Sequence, residues 1–290
     1  MKKFKGNLEH VNCPTCGPSA KKKLIFKRSD GISFYNCVEC NIEFASPRLV
    51  ESELFELYEG DDWRNESFYK NWTYENWAYD KGKDYYLVQQ NIKLVKEFLN
   101  IGSSILDVGC DIGLSVRALQ DIGFYSEGIE TSATGAKIAQ EKTGIKVHNL
   151  QLHDLKAKTQ FDGILLLDVL EHVYDPVKLL IECASNLRIG GYIFIHVPHH
   201  RGLGTQYKKF LHKIGLKQDY KHFGFPAHIY GFDKKSLKII LHKAGFKVVH
   251  FESWSNKLTR GKVNIFNYLL VKIIRKFSLS DYIVCVARKL

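Results

Sequence analysis

Ile105-Leu106-Asp107-Val108-Gly109-Cys110-Asp111-Ile112-Gly113-Leu114 is the stretch on which the reading of this chain turns. Its apolar residues around a single acid have the length and make-up of a buried strand. The glycines that follow let the backbone turn sharply and come close to a ligand. Leu114–Asp121 then takes up helical spacing. A helix that opens directly after a strand points free amide groups at one spot, which suits an anionic or polar ligand. In open α/β sheets, ligands bind at the carboxyl ends of the strands, and this turn lies at such an end.

Working outward, the same alternation repeats. Residues 84–99 read as an amphipathic helix, with Leu87, Ile92, Leu94, Val95, Phe98 and Leu99 near one face. Tyr125–Glu130 reads as a strand, and Ser132 as the cap of a helix running to about Lys142. Lys146–Leu150, Phe161–Asp168 and Tyr192–Val197 read as further strands. Asp175-Pro176 starts a helix that runs to Leu187, before Gly190-Gly191. Beyond them the pattern gives a helix over Asp233–Ala244, a strand over Lys247–Phe251, a helix near Val263–Phe277 and a last strand over Tyr282–Ala287. Strands alternating with helices imply a parallel, doubly wound α/β sheet. The expected organisation is a small module over 1–50, an aromatic-rich connection over 51–83 and the α/β domain over 84–290.

The acids around the glycines indicate which ligand is expected. A dinucleotide site normally carries G-x-G-x-x-G. Here the spacing is D-x-G-x-x-x-G, formed by Asp107, Gly109 and Gly113. An acid at Asp107 suits a cationic amino-acid group better than a pyrophosphate. Glu130, at the end of the second strand, is placed to accept hydrogen bonds from a ribose diol.

The chain has 290 residues, 45% of them hydrophobic, and a formal net charge of +11. The charge favours anionic partners without choosing among them. MKKFKGNLEHVNC opens the chain with charge and no apolar run, so no signal peptide is expected. Apolar runs are too short to span a bilayer, and the cytoplasm is the expected location. Four of the seven cysteines form two C-x-x-C pairs, Cys13/Cys16 and Cys37/Cys40, separated by 20 residues. Two close thiolate pairs supply a closed tetrahedral Zn²⁺ site, which is structural rather than catalytic. So small a module depends on its metal to fold. Cys13→Ser is expected to unfold it and to leave the main domain folded. Cys110, Cys183 and Cys285 lie in or beside apolar elements and read as core thiols.

These motifs resemble those of class I S-adenosylmethionine (SAM)-dependent methyltransferases. Asp107, Gly109 and Gly113 match the family's first motif, and Asp111 stands where the family usually has glycine. The resemblance implies a Rossmann-like, mostly parallel seven-stranded sheet that binds SAM. Asp107, Gly109, Cys110 and Gly113 would lie around the cofactor, Glu130 on its ribose, Asp154 near its adenine and Asp168 at the end of the fourth strand. Phe161–Val173 resembles the fourth-strand motif, and Leu187–Ile195 the entry to the fifth, with Ile189 in place of proline. The His228-Ile-Tyr-Gly-Phe run matches a C-terminal stretch of one broad subgroup. A ribbon ending in Phe44-Ala-Ser-Pro47-Arg48 looks like that of bacterial members that often modify sugars or surface glycans.

Methyl transfer is an in-line displacement, so the protein must align the acceptor and, for a hydroxyl, remove its proton. Asp168, Glu171 and His172 are the candidate catalytic residues, with His172 a candidate base. Asp168-x-x-Glu171-His172 also resembles a divalent-metal pattern of some ubiquinone-pathway and small-RNA methyltransferases. His196, His199, His200 and His228, in or after the fifth strand and before the next helix, are further candidate bases. Arg201–His222 carries Arg201, Lys208, Lys209, Lys213, Lys217, Lys221 and His222, as a lid over an anionic acceptor would. The leading expectation is methyl transfer to a small-molecule or glycan-linked acceptor such as a nucleotide sugar. RNA or tRNA methylation is the alternative, and a non-catalytic scaffold with a degenerate SAM fold is a third.

Overall fold

The structure is a computed structural model and describes residues 6–28, 30–59, 83–155, 160–216, 227–254 and 279–290. The N-terminal part contains β1 (Leu8–Glu9), β2 (Lys22–Lys27), β3 (Ser33–Cys37), β4 (Glu43–Ser46) and β5 (Arg48–Leu49). Each C-x-x-C pair is closed by a tight turn. Gly17 N–H donates to Cys13 O and Asn41 N–H to Cys37 O, both at 2.9 Å. Gly17 and Asn41 both hold positive φ, which glycine and asparagine tolerate best. The helix α1 (Glu51–Glu59) follows.

The main body begins with α2 (Lys83–Phe98) and continues through β6 (Ser104–Val108), α3 (Leu114–Asp121), β7 (Tyr125–Ile129), α4 (Ala133–Thr143) and β8 (Val147–His148). Next come β9 (Phe161–Leu167), α5 (Pro176–Asn186), β10 (Leu187–Pro198), α6 (Leu203–Lys213), β11 (Tyr230–Gly231) and α7 (Lys234–Lys243). Strands β12 (Phe246–Trp254) and β13 (Tyr282–Lys289) finish the chain. Seven strands form one sheet in the order β12-β13-β10-β9-β6-β7-β8. The β10-β9-β6-β7-β8 run is parallel, and β13 is antiparallel to both of its neighbours. This is the mostly parallel, doubly wound sheet that the alternating pattern predicts.

β9 is almost continuously apolar because both faces of a central parallel strand are covered. Ile164 and Leu166 pack toward α5 and α7, while Leu165 packs toward α2 and α3. Each is essentially fully buried and contributes about 2–3 kcal/mol relative to exposure. Ser132 caps α4 by accepting from Gly135 N–H at 3.1 Å. Asp175 caps α5, with Pro176 in its first turn.

Three boundaries differ from the sequence reading. β10 starts at Leu187, because Gly190 at φ 78 absorbs a register shift before Tyr192 within one long strand. β8 is shorter than its apolar pattern suggests. β11 emerges from the His228-Ile-Tyr-Gly-Phe run and pairs antiparallel with β4, Tyr230 opposite Phe44 and Gly231 opposite Glu43. The order β11-β4-β3-β2 therefore makes one sheet from the N-terminal ribbon and a segment of the main body. Phe44, Ile42 and three of the four paired cysteines belong to the same buried cluster as Leu106 and Ile164. Most of the aromatic run Tyr58–Tyr79, the expected helix Val263–Phe277, and Lys217, Lys221 and His222 of the expected lid lie outside the described residues.

Candidate active site

The β6–α3 turn is built by backbone conformation. Gly109 and Gly113 hold φ of 75 and 78, and side chains there would collide with Val169 and Ile145. Asp111 also sits in the left-handed region, at φ 45, which aspartate adopts more readily than most residues. Glu130 fixes this turn: its carboxylate accepts from Asp111 N–H and Ser132 N–H, both at 2.8 Å. Asp107 lies beneath, 3% exposed, with one carboxyl oxygen that has no partner. Burial, and next the Glu130 charge, push its pKa up to about 7. An orphaned buried acid at a glycine turn fits the cationic amino group of an amino-acid-bearing ligand.

Two expected cofactor residues are placed differently. The Cys110 thiol packs among Val116, Ala136, Ala139 and Ile145, so only its backbone borders the turn. Burial, and then Asp107, raise its pKa far out of the thiolate range. Asp154 is exposed on a short 3₁₀ turn, 3.5 Å from His153. The side chain after β8 that reaches the Glu130 loop is instead Asn149, which donates to Glu130 O and Thr131 O at 2.9 and 3.0 Å. Nothing in the sequence pattern marks Asn149, because its role rests on a crossing between adjacent loops.

At the end of β9 the chain presents Asp168, Glu171 and His172. Asp168 is half-exposed and holds φ 56, a strained position for a non-glycine residue. Its carboxylate meets His196 Nδ1, on the neighbouring β10, at 3.0 Å. Burial opposes the charge on Asp168, but the facing imidazole outweighs it and holds the carboxyl below its ordinary range. Glu171 is 1% exposed, and both its carboxyl oxygens are buried without a partner. Burial first, and Asp168 second, push its carboxyl well above the ordinary range. Its backbone oxygen accepts from Ile229 N–H at 2.9 Å.

His172 Nδ1 meets Ala227 O at 3.1 Å, which assigns the proton to Nδ1 and leaves Nε2 as a lone pair 4.0 Å from Glu171. Burial, and then the His228 ring, lower its pKa to about 3. His172 is thus neutral at physiological pH and a weak base. Glu171, His172 and His228 bring one donor atom each within 4.8 Å of one another. Asp168 is not in this group, since its carboxylate turns to His196.

The second group of donors is Cys13, Cys16, Cys37 and Cys40, again within 4.8 Å of one another. A tetrahedral zinc with sulfur bonds of about 2.3 Å needs sulfurs about 3.8 Å apart, so the cluster fits. The ribbon carrying it also contacts α6 and the loop after β10. Glu43 of β4, 4% exposed, holds Lys209 Nζ of α6 at 2.8 Å and lies 2.9 Å from His200 Nδ1. Arg201 is paired with Asp233 at 3.1 Å. Two cations of the expected basic lid are therefore committed within the fold.

A family model described as a methyltransferase domain matches residues 79–251. This chain belongs to the class I SAM-dependent methyltransferases. It is 30% identical over 186 residues to a ubiquinone biosynthesis O-methyltransferase of Xylella fastidiosa, covering 59% of this chain and 74% of that protein. The corresponding protein of Escherichia fergusonii is 28% identical over 184 residues, 58% of this chain and 75% of that protein. A SAM-dependent methyltransferase from Thermotoga maritima superposes with a TM-score of 0.55 at 19% identity, covering 82% of this chain and 100% of that one. Magnesium protoporphyrin IX methyltransferase from Synechocystis PCC 6803, solved with bound SAH, gives 0.54 at 16% identity over 79% of this chain and 97% of that one. Among the described residues no helix is long and apolar enough to cross a membrane.

Proposed function

We propose that this methyltransferase transfers a methyl group from SAM to a hydroxyl oxygen of a small molecule, with the acceptor at the ends of β9 and β10. The supporting relatives are O-methyltransferases by name. The observation that carries the placement is Glu171: a buried carboxylate with both oxygens unpartnered, beside two imidazoles. That donor set suits a first-row divalent ion held by Glu171, His172 and His228. Such an ion supplies a Lewis acid that lowers the pKa of a hydroxyl brought beside it. At the other end, Asp107 takes the amino group of SAM and Glu130 its ribose. In the ribbon, the four cysteines hold a structural zinc.

The acceptor is a small molecule bearing a free hydroxyl, with a nucleotide sugar or other anionic glycan-linked hydroxyl as the narrower reading. Lys208 and Lys213, exposed on α6, favour an anionic group. None of the seven cysteines is paired in a disulfide, which suits the reducing cytoplasm.

Two experiments test this. Zinc-replete protein is incubated with methyl-labelled SAM and a panel of catechol, a nucleotide sugar and tRNA. Label is expected on a small-molecule oxygen, and label on tRNA alone overturns the reading. Mn²⁺ titration followed by electron paramagnetic resonance is expected to show one bound ion per chain in the native protein and none in Glu171→Gln. Equal binding by both removes the ion from the site.

A further inference from the structure

His196 stands outside the metal-like cluster and is unexplained by packing alone. It is 3% exposed on β10, opposite Leu167 in the parallel register, so it lies at the carboxyl end of the sheet beside the last residue of β9. Its Nδ1 faces Asp168 Oδ1 at 3.0 Å. Its Nε2 is buried with no hydrogen-bond partner. Tyr282 of β13 stacks on the ring with centroids 4.7 Å apart and planes 16° apart, and Trp254 of β12 lies 5.8 Å away. The ring is thus held between a carboxylate on one nitrogen and aromatic walls from two other strands.

A buried polar atom without a partner is costly, and a native fold tolerates it where a ligand or reacting group completes it. Asp168 carries a second cost, its left-handed backbone at φ 56. That strain turns the carboxylate toward His196 while leaving it half open at the end of the strand. A carboxylate on Nδ1 fixes the proton there and leaves Nε2 as the basic nitrogen, the arrangement that general bases use.

We propose that the Asp168–His196 dyad, rather than His172, is the general base of this methyltransferase. The inference rests on the oxygen-acceptor reading above. As the acceptor oxygen bonds to the methyl carbon, the carbon–sulfur bond breaks and its electron pair returns to sulfur, leaving a neutral thioether. The acceptor O–H bond breaks in the same step, and its proton moves to His196 Nε2. The imidazolium so formed faces the Asp168 carboxylate, which stabilises it without taking the proton. His172 instead turns its Nδ1 to a backbone oxygen, that of Ala227 at 3.1 Å.

The test compares two acceptors that differ in whether a base is needed. At about pH 8 the 4-nitrocatechol hydroxyl is already ionised, while that of catechol is not. His196→Gln is expected to lower kcat on catechol by about 10²–10³-fold and on 4-nitrocatechol by less than about fivefold. Its SAH affinity, measured by calorimetry, is expected to stay within about twofold. An equal loss on both acceptors overturns the proposal. Histidine ¹⁵N spectra of the SAH-bound protein give a readout that needs no turnover, with the His196 signals assigned by their loss in His196→Gln. A protonated Nδ1 and a bare Nε2 are expected, with that preference lost in Asp168→Asn. A protonated Nε2 in the native protein overturns the dyad even if oxygen methylation is seen. Failure to methylate any hydroxyl acceptor overturns the oxygen reading and the base with it, whatever the spectra show of the dyad.

Discussion

At the β6–β7 end of the sheet, the groups proposed to bind the cofactor come from one short run, Asp107 to Ser132. At the β9–β10 end, the groups proposed to meet the acceptor are Asp168, Glu171, His172, His196 and His228. The first end is local: a strand, a glycine turn, a second strand and an acid that accepts the turn's own amides. The second end exists only when distant parts of the chain meet. The ribbon edge holds Tyr230 and Gly231 from one side, and the backbone oxygen of Glu171 takes Ile229 N–H on the other. On the proposed reading, the local half binds the cofactor that the family shares, while the half proposed to meet the acceptor draws on elements from the length of the chain.

The largest way to break this contrast is to remove the zinc proposed for the four ribbon cysteines. Zinc contributes about 10–16 kcal/mol to modules of this kind, so chelation or Cys13→Ser is expected to unfold the ribbon. Because β4 is the edge partner of β11, hydrogen exchange at Tyr230 and Gly231 and along α6 is expected to rise, while β6 and β7 stay protected. Unchanged exchange at β11 would show the two parts to be independent. This narrows the expectation that the main domain is left intact.

Next in size is Glu130→Ala. It removes an acceptor for two turn amides as well as the proposed ribose contact. SAH affinity is expected to fall about 100-fold, or about 3 kcal/mol, in calorimetry. An unchanged affinity would move the cofactor elsewhere.

A smaller effect comes from Asp107. With its pKa near 7 in the free protein, it is mostly protonated at pH 6 and ionised at pH 8. A bound cationic amino group favours the ionised form, so binding releases a proton below pH 7. SAM affinity is therefore expected to tighten about tenfold from pH 6 to 8 and to level off above that. Asp107→Asn should flatten this slope, and a slope that persists assigns it to another group.

The smallest is Ser132→Ala. Loss of the α4 cap is expected to cost about 1 kcal/mol, read as a drop of about 2–4 °C in Tm, with the acceptor end untouched.

The same contrast explains what was legible in the sequence. Asp107, Gly109, Gly113 and Glu130 are marked by a fixed order of acid, glycine and strand end, because backbone turns impose that order. Ser132 and Asp175 are legible as caps for the same reason. His196 carries no such mark: in sequence it is a polar residue inside an apolar strand, and only the β9–β10 register brings it to Asp168. Glu43 reads as a ribbon residue, and its contacts with His200 and Lys209 depend on a strand pairing that no local pattern records. Cys110 shows the converse: the glycine motif marks its position, but not that its side chain packs into the core and leaves only backbone at the turn.

The pairing of β4 with β11 also bears on how the protein is made. Glu43 and Lys209 are 166 residues apart. At 5–20 residues per second, β4 leaves the ribosome roughly 10–30 s before the partners that cover its edge. For that interval an apolar strand edge with a buried-type acid has only its own hairpin for shelter. Early capture of zinc by the four cysteines would keep the newborn ribbon folded until the rest of the sheet arrives.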